Sequence, residues 1–131
     1  MTVHHVNPKK LSPPVGFSHA VVAQGTTVFL AGQTAQDTSG RIVGDTLLEQ
    51  FEQVLGNLVH VLTEAGSHPR LLTKVVIYCT DPDAYTASLK EIGAVWRRVV
   101  GRTYPAMTFV GVSRLFDPAA LIEVDAYAVV E

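Results

Sequence analysis

Two carboxylates interrupt an otherwise apolar segment near the C-terminus. Residues 121–130 alternate in the manner of a strand, and small or branched apolar residues fill one of its faces. Glu123 and Asp125 lie on the other face, together with Tyr127 and Val129. Because ionised carboxylates are costly to bury without a partner, this face should meet water, another subunit or a binding site.

The other residue types that commonly do chemistry lack suitable neighbours. His19, His60 and His68 fall on separate predicted elements without the spacing of metal ligands. Cys79, the single cysteine, lies in an apolar predicted strand, which favours a small buried residue over a nucleophile. Ser18 has no recognisable triad context. The sequence therefore predicts no metal site and no serine or cysteine nucleophile.

Composition and charge limit the partners. Of the 131 residues 47% are hydrophobic and only 17% are charged, with a net charge of −2. Typical globular chains carry about 25% charged residues, so part of this surface is expected to be buried against another subunit. The small basic cluster Arg97, Arg98 and Arg102 complements the end of a predicted helix, and neither nucleic acid nor membrane is favoured as a partner. Lacking an apolar span or signal-peptide core, the chain is expected to be cytoplasmic.

Periodicity and turn signals predict one α+β domain with the order β-β-α-β-α-β-β. Residues 1–13 are predicted to form an extended arm, and residues 14–131 the folded domain. A turn at Gln24-Gly25 predicts a hairpin of the first two strands. The predicted elements are strands 17–23 and 27–31, a helix over 46–65, a strand over 71–80, a helix from 81 to 101, and strands 107–112 and 121–130.

Both faces of the predicted sheet carry apolar residues, although two helices can cover only one face. In the strand 71–80, Val75 and Ile77 lie on one side, and Leu72 and Val76 lie on the other. No further element of the chain is predicted to cover the second face. Another copy of the chain is the simplest cover.

Several segments, in order, resemble the Rid family of reactive-intermediate deaminases, also called endoribonuclease L-PSP-like proteins. The resemblance begins near residue 14 and is carried by segments 15–17, 29–33, 64–66, 75–81, 104–106, 113–115 and 122–126. It implies a chorismate-mutase-like fold, in which two helices pack on one face of a mixed sheet. It also implies a homotrimeric barrel with small-molecule clefts between subunits, and cofactor-free hydrolysis of imines and enamines such as 2-aminoacrylate.

Four positions depart from the polar site residues that the resemblance implies. Met107 stands where the family carries an arginine that binds the substrate carboxylate, and Phe109 replaces a nearby cysteine. Ser18 stands in place of a frequent tyrosine, and Ala31 in place of a serine. A charge-assisted hydrogen bond contributes about 1.5–3 kcal/mol, so loss of a bidentate arginine predicts weak or no activity on small 2-imino acids.

Glu123 and Gly32 are retained from the family pattern. The resemblance implies that Glu123 positions or activates the attacking water, although an interface carboxylate without a catalytic role is an alternative. A cleft for a neutral or more apolar ligand would be lined by Met107, Phe109, Ser18, Ala31 and Gly32. Alternatively, Met107 and Phe109 would be ordinary core residues. The functional hypotheses are hydrolysis of an imine or enamine and, alternatively, a non-catalytic trimer that binds a small molecule in a regulatory or protective role. Endoribonuclease activity is less favoured, because the chain is acidic and has no basic stripe.

Overall fold

The computed structural model describes residues 2–131, which form six strands and three α-helices. The strands are β1 Val3–Val6, β2 Ala20–Ala23, β3 Thr26–Gln33, β4 Leu72–Cys79, β5 Ala106–Gly111 and β6 Ile122–Val130. The helices are α1 Leu47–Glu64, α2 Pro82–Ala87 and α3 Leu89–Val99. The main sheet has the order β3-β6-β4-β5, and only β4 and β5 are parallel. Helices packed on one face of a mixed sheet confirm the predicted fold class.

Helix α1 supplies much of the core, as its sequence pattern predicts. Thr46 caps the helix: its hydroxyl accepts a hydrogen bond from the Glu49 amide, and the Glu49 carboxylate accepts one from the Thr46 amide. The apolar stripe of the helix is buried against the sheet, and Phe51, Leu55 and Leu58 are fully inaccessible. Burial of each such side chain stabilises the fold by about 1.5–3 kcal/mol.

The predicted N-terminal hairpin is wrong. Strand β2 pairs with β1 in a separate two-stranded sheet, whereas β3 pairs with β6. Gly25, with φ 131°, lies so close to the β6 backbone that a Cβ there would overlap the Val130 carbonyl oxygen. The turn at Gln24-Gly25 therefore passes the chain from one sheet to the other and does not fold it back on itself.

The segment predicted to be an extended arm contributes strand β1. Val3 is buried with Leu71 and Val129 in a small cluster apart from the main core. Val129 lies on the sheet face opposite the helices, so the N-terminal strands cover one end of that face. The prediction that no part of the chain covers it was therefore wrong at this end.

Leu72 lies on the opposite face from the one predicted. It is buried with Val75, Ile77 and Cys79 on the helix side of β4. Leu72 is opposite Ala128 and Lys74 is opposite Tyr127, which leaves an extra residue between them. This β-bulge reverses the alternation, so Leu72 joins the core.

A break at Ser88 divides the predicted second helix into α2 and α3. Ser88 has φ −116° and ψ 21°, outside the helical range, and its amide donates to the Tyr85 carbonyl. The break resets the helical phase. Leu89 was predicted to lie in the buried stripe but is 56% exposed, whereas Ile92 and Trp96 are buried.

Candidate functional site

Glu123 lies on the face of the sheet that the helices leave open. Its position in β6 is opposite Tyr78 in β4, and its half-buried side chain shares this face with Asp125. The Tyr78 hydroxyl donates a hydrogen bond to Asp125 Oδ2 at 3.4 Å. The predicted carboxylate pair thus forms a compact polar patch with Tyr78 on this sheet face, which also carries the hydrogen-bonded pair Lys74 and Thr108.

Gly32 provides the space that the Glu123 carboxylate occupies. A Cβ built on Gly32 would lie 2.9 Å from Glu123 Cδ and would overlap its Oε2 atom. The register between β3 and β6 shifts between Leu30 and Gln33, next to this contact. Gly32 therefore borders Glu123, and both Gly32 and the preceding Ala31 are exposed near the end of β3.

The surroundings of Glu123 favour its protonated form. Burial raises the pKa of the Glu123 carboxyl, and the negative charge of Asp125 raises it further. Asp125 is also the main cause of a raised pKa at the Tyr78 hydroxyl. A carboxylate with a raised pKa is a stronger base, which can accept a proton from a bound water and return it to a substrate.

Met107 and Phe109 lie on the helix side of the sheet, opposite to Glu123. In the parallel β4–β5 ladder they are level with Val75 and Ile77, which point into the core. The Phe109 ring is 4.4 Å from the ring of Tyr85, centre to centre. Within one chain the structure therefore does not bring Met107 and Phe109 together with Glu123.

Met107 lines a cavity of about 380 Å³ between β5 and α3. Ile92 and Trp96 of α3 form one wall, and Tyr85 and Tyr104 contribute aromatic rings. The Trp96 and Tyr104 rings are stacked with their centres 6.3 Å apart. The spacing of Tyr85, Ile92 and Trp96 in the sequence indicates their common face, whereas the cavity beside them has no signal in the sequence.

Ser18 is buried and its hydroxyl is already occupied. The Ser18 hydroxyl donates to the Tyr104 carbonyl oxygen at 2.6 Å, and His5 Nδ1 lies 3.0 Å from Ser18 Oγ. Since the single hydroxyl hydrogen is used, His5 must donate to Ser18. Ser18 forms a β-bridge with Ala106 at the start of β5, so the structure places it beside the Met107 strand and not beside Glu123.

Gln50 is a structural residue that the sequence analysis did not identify. It is 2% exposed within α1, and its amide group makes three hydrogen bonds to backbone. Its Nε2 donates to the Gly44 and Ala119 carbonyls, each at 3.1 Å, and its Oε1 accepts from the Leu121 amide at 2.8 Å. Gln50 thereby fixes the start of β6, two residues before Glu123.

The remaining reactive groups do not form a second centre. Cys79 is fully buried, and burial raises the pKa of its thiol. Within residues 2–131, no three histidine, cysteine or acidic side chains are grouped in a way that could hold a metal ion. None of the helices in this described part is long and apolar enough to cross a bilayer.

Comparison with known proteins identifies the family to which the chain belongs. The family model described as Endoribonuclease L-PSP matches residues 8–130. The RutC family protein PH0854 of Pyrococcus horikoshii is 34% identical over 92% of this chain and 90% of its own length. The mitochondrial protein mmf1 of Schizosaccharomyces pombe is 31% identical over 94% of this chain and 74% of its own.

Solved structures agree with the fold. YyfB of Yersinia pestis, described as a member of the conserved Rid protein family, superposes with a TM-score of 0.88 at 37% identity. The match covers 99% of this chain and 100% of YyfB. The predicted resemblance is therefore confirmed, and the chain belongs to the Rid family, whose family model is named Endoribonuclease L-PSP.

Proposed function

We propose that the protein hydrolyses a reactive imine or enamine without a cofactor, with Glu123 as the residue that handles the attacking water. The observation that carries the proposal is the half-buried Glu123 carboxylate. Its pKa is raised, and the missing side chain at Gly32 leaves room for it. Membership of the Rid family supports the same reaction class.

The reaction is an addition followed by an elimination. Glu123 takes a proton from water as the water oxygen bonds to the imine carbon, and the proton passes to the nitrogen to give a carbinolamine. The carbinolamine then collapses: its hydroxyl proton moves to the nitrogen, the carbonyl forms, and the carbon–nitrogen bond breaks to release ammonia. An enamine first takes a proton on carbon to become the imine. A carboxylate with a raised pKa is a stronger base than an ordinary glutamate and so suits the proton transfer from water.

The complete site is proposed to form between copies of the chain. Glu123 and the Met107 cavity lie on opposite faces of one sheet, so a cleft that contains both needs two subunits. The Glu123 face also carries exposed apolar side chains, with Phe29 75%, Tyr127 47% and Val110 36% exposed. A homotrimer that buries these faces in a central barrel would cover them and form three such clefts.

The substrate is proposed to differ from small 2-imino acids. In place of a carboxylate-binding arginine the chain has Met107, which cannot bind an anion, and Phe109 adds a second apolar side chain. A neutral or largely apolar group next to the reacting carbon suits these surroundings better.

Ammonia release over a panel of carboxylated and neutral imines tests the proposal. We expect turnover that is greater on substrates with an apolar group, and its loss in Glu123→Gln. Asp125→Asn is the matched control on the same strand and should retain most of the activity. No turnover on any imine, with Glu123→Gln indistinguishable from the unmodified protein, would overturn the proposal.

A non-catalytic binding trimer is the second candidate. The observation in its favour is the loss of polar groups: Met107, Phe109 and Ala31 offer none, and the Ser18 hydroxyl is held by the Tyr104 carbonyl. For this function a bound metabolite should raise the melting temperature and remain chemically unchanged after long incubation. Consumption of the ligand would exclude it.

A further inference from the structure

The cavity beside Met107 contains a single charged side chain, that of Arg97. The other lining residues are apolar, aromatic or glycine. Two apolar residues stand at its mouth, where Val15 is 88% exposed and Leu89 is 56% exposed. The volume of about 380 Å³ falls within the range of small-molecule sites.

Arg97 is placed on the cavity by a glycine one helical turn earlier. Its Nη1 atom lies 3.2 Å from the point where a Cβ on Gly93 would stand, so the guanidinium folds over the bare backbone of α3. A side chain at Gly93 would crowd this position. The geometry thus keeps a cation at the wall of an apolar cavity.

Arg97 has no carboxylate partner within residues 2–131. The adjacent Arg98 points to α1 and pairs with Glu52, and the other ion pair in this part of the chain joins Arg70 and Glu131. No acidic residue lines the cavity. Two neighbouring arginines therefore differ in role, since Arg98 ties two helices together and Arg97 leaves its charge available.

We propose that this cavity binds an organic anion with an aromatic or branched apolar body, whose anionic group is held by Arg97. The apolar body would insert between Met107 and the aromatic wall of Tyr85 and Trp96. Arg97 thus restores, from a helix, an anion-binding function that position 107 has lost. The inference concerns binding, and it goes beyond the proposed role of Glu123.

Fluorescence of Trp96 tests the inference directly, because Trp96 is the single tryptophan of the chain and forms a wall of the cavity. The probe is 3-phenylpropionate, with its amide as the neutral counterpart and acetate as the anion without an apolar body. We expect a saturable change with 3-phenylpropionate, weaker binding of the amide, and none of acetate.

Arg97→Met and Arg98→Met form a matched pair on the same helix. A charge-assisted hydrogen bond predicts that Arg97→Met weakens 3-phenylpropionate binding about 10-fold or more, leaving amide binding unchanged. Arg98→Met should bind like the unmodified protein. Equal effects of the two substitutions, equal affinity for acid and amide, or no saturable change would each overturn the inference. Ammonia release by Glu123→Gln tests the proposed hydrolysis separately from probe binding, so failure of this site and failure of the proposed hydrolysis remain distinguishable.

Discussion

Adding one methyl group at Gly32 should displace the Glu123 carboxylate while leaving the fold intact. The new Cβ would lie 2.9 Å from Glu123 Cδ and would overlap Oε2. Carbon atoms in contact prefer separations of about 3.5–4.0 Å, so the carboxylate must retreat by about 1 Å. A displacement of this size in a catalytic group can cost about 100-fold in rate, and we expect that loss in kcat/KM for Gly32→Ala.

The stability of the variant should change little. The atoms that must move are the end of a flexible side chain, so the free energy of unfolding should stay within about 1 kcal/mol of the original value. Gly56→Ala is the control, because a Cβ on Gly56 meets no atom within 4 Å. This substitution in α1 should stabilise the protein by about 0.5–1 kcal/mol and leave kcat/KM unchanged.

Two assays measure the effect of Gly32→Ala independently. Ammonia release gives kcat/KM on the best substrate of the imine panel, and urea unfolding gives the free energy of unfolding. Carbon-detected NMR of the Glu123 carboxyl should show its pKa falling, because the displaced group moves towards water. Unchanged kcat/KM and an unchanged Glu123 pKa in Gly32→Ala would refute the proposal that Gly32 leaves room for a catalytic Glu123 carboxylate.

Three further predictions follow from individual side chains. Glu123→Gln should raise the melting temperature at pH 7, because the native Glu123 carboxylate is destabilised when it is ionised. The difference in melting temperature should disappear as the pH falls through the raised Glu123 pKa, and an equal difference at all pH values would contradict the prediction. Gln50→Leu should cost about 3 kcal/mol in urea unfolding, since three backbone groups lose their partner, whereas Gln53→Leu in the same helix should cost less than about 1 kcal/mol. Cys79 should resist a thiol reagent in the native protein and react once it is unfolded, and rapid native labelling would show that this strand is open.

The features predicted correctly are those set by residues that lie close together in the sequence. The capping pair Thr46 and Glu49 marked the start of α1 to within one residue, and its apolar spacing identified the buried face. The β6 alternation likewise placed Glu123 on the open face of the sheet. These features depend on residues within a turn or two of one another, which a single sequence displays.

Features that depend on distant backbone were not predicted correctly. The Gln24-Gly25 turn fits a hairpin, yet β3 pairs with β6, about a hundred residues later in the chain, and β2 with β1. The bulge after Leu72 is set by its pairing with β6 and has no clear local signal. A single inserted residue moves every side chain beyond it to the other face of the sheet. A prediction of strand faces from alternation is therefore wrong beyond a bulge.

The arrangement of the candidate site residues could not be predicted from the sequence. Gly32 and Glu123 meet in the structure, although neither sequence segment shows that one makes room for the other. Met107 was expected beside Glu123, and the structure separates them by the thickness of the sheet. The register of the β4–β5 and β4–β6 ladders shows this separation, and the proposal of a cleft between two copies rests on it.

Mixing two inactive variants tests the shared cleft most directly. In the first variant, Met107→Trp should fill the cavity beside position 107. In the second variant, Glu123→Gln removes the carboxylate. In a cyclic trimer each cleft would take Met107 from one subunit and Glu123 from its neighbour. After random assembly of equal amounts of the two variants, both residues are intact in about one cleft of four. We therefore expect about a quarter of the unmodified ammonia-release activity from the mixture and almost none from either variant alone. A mixture that stays as inactive as its two components would contradict a site built from two subunits.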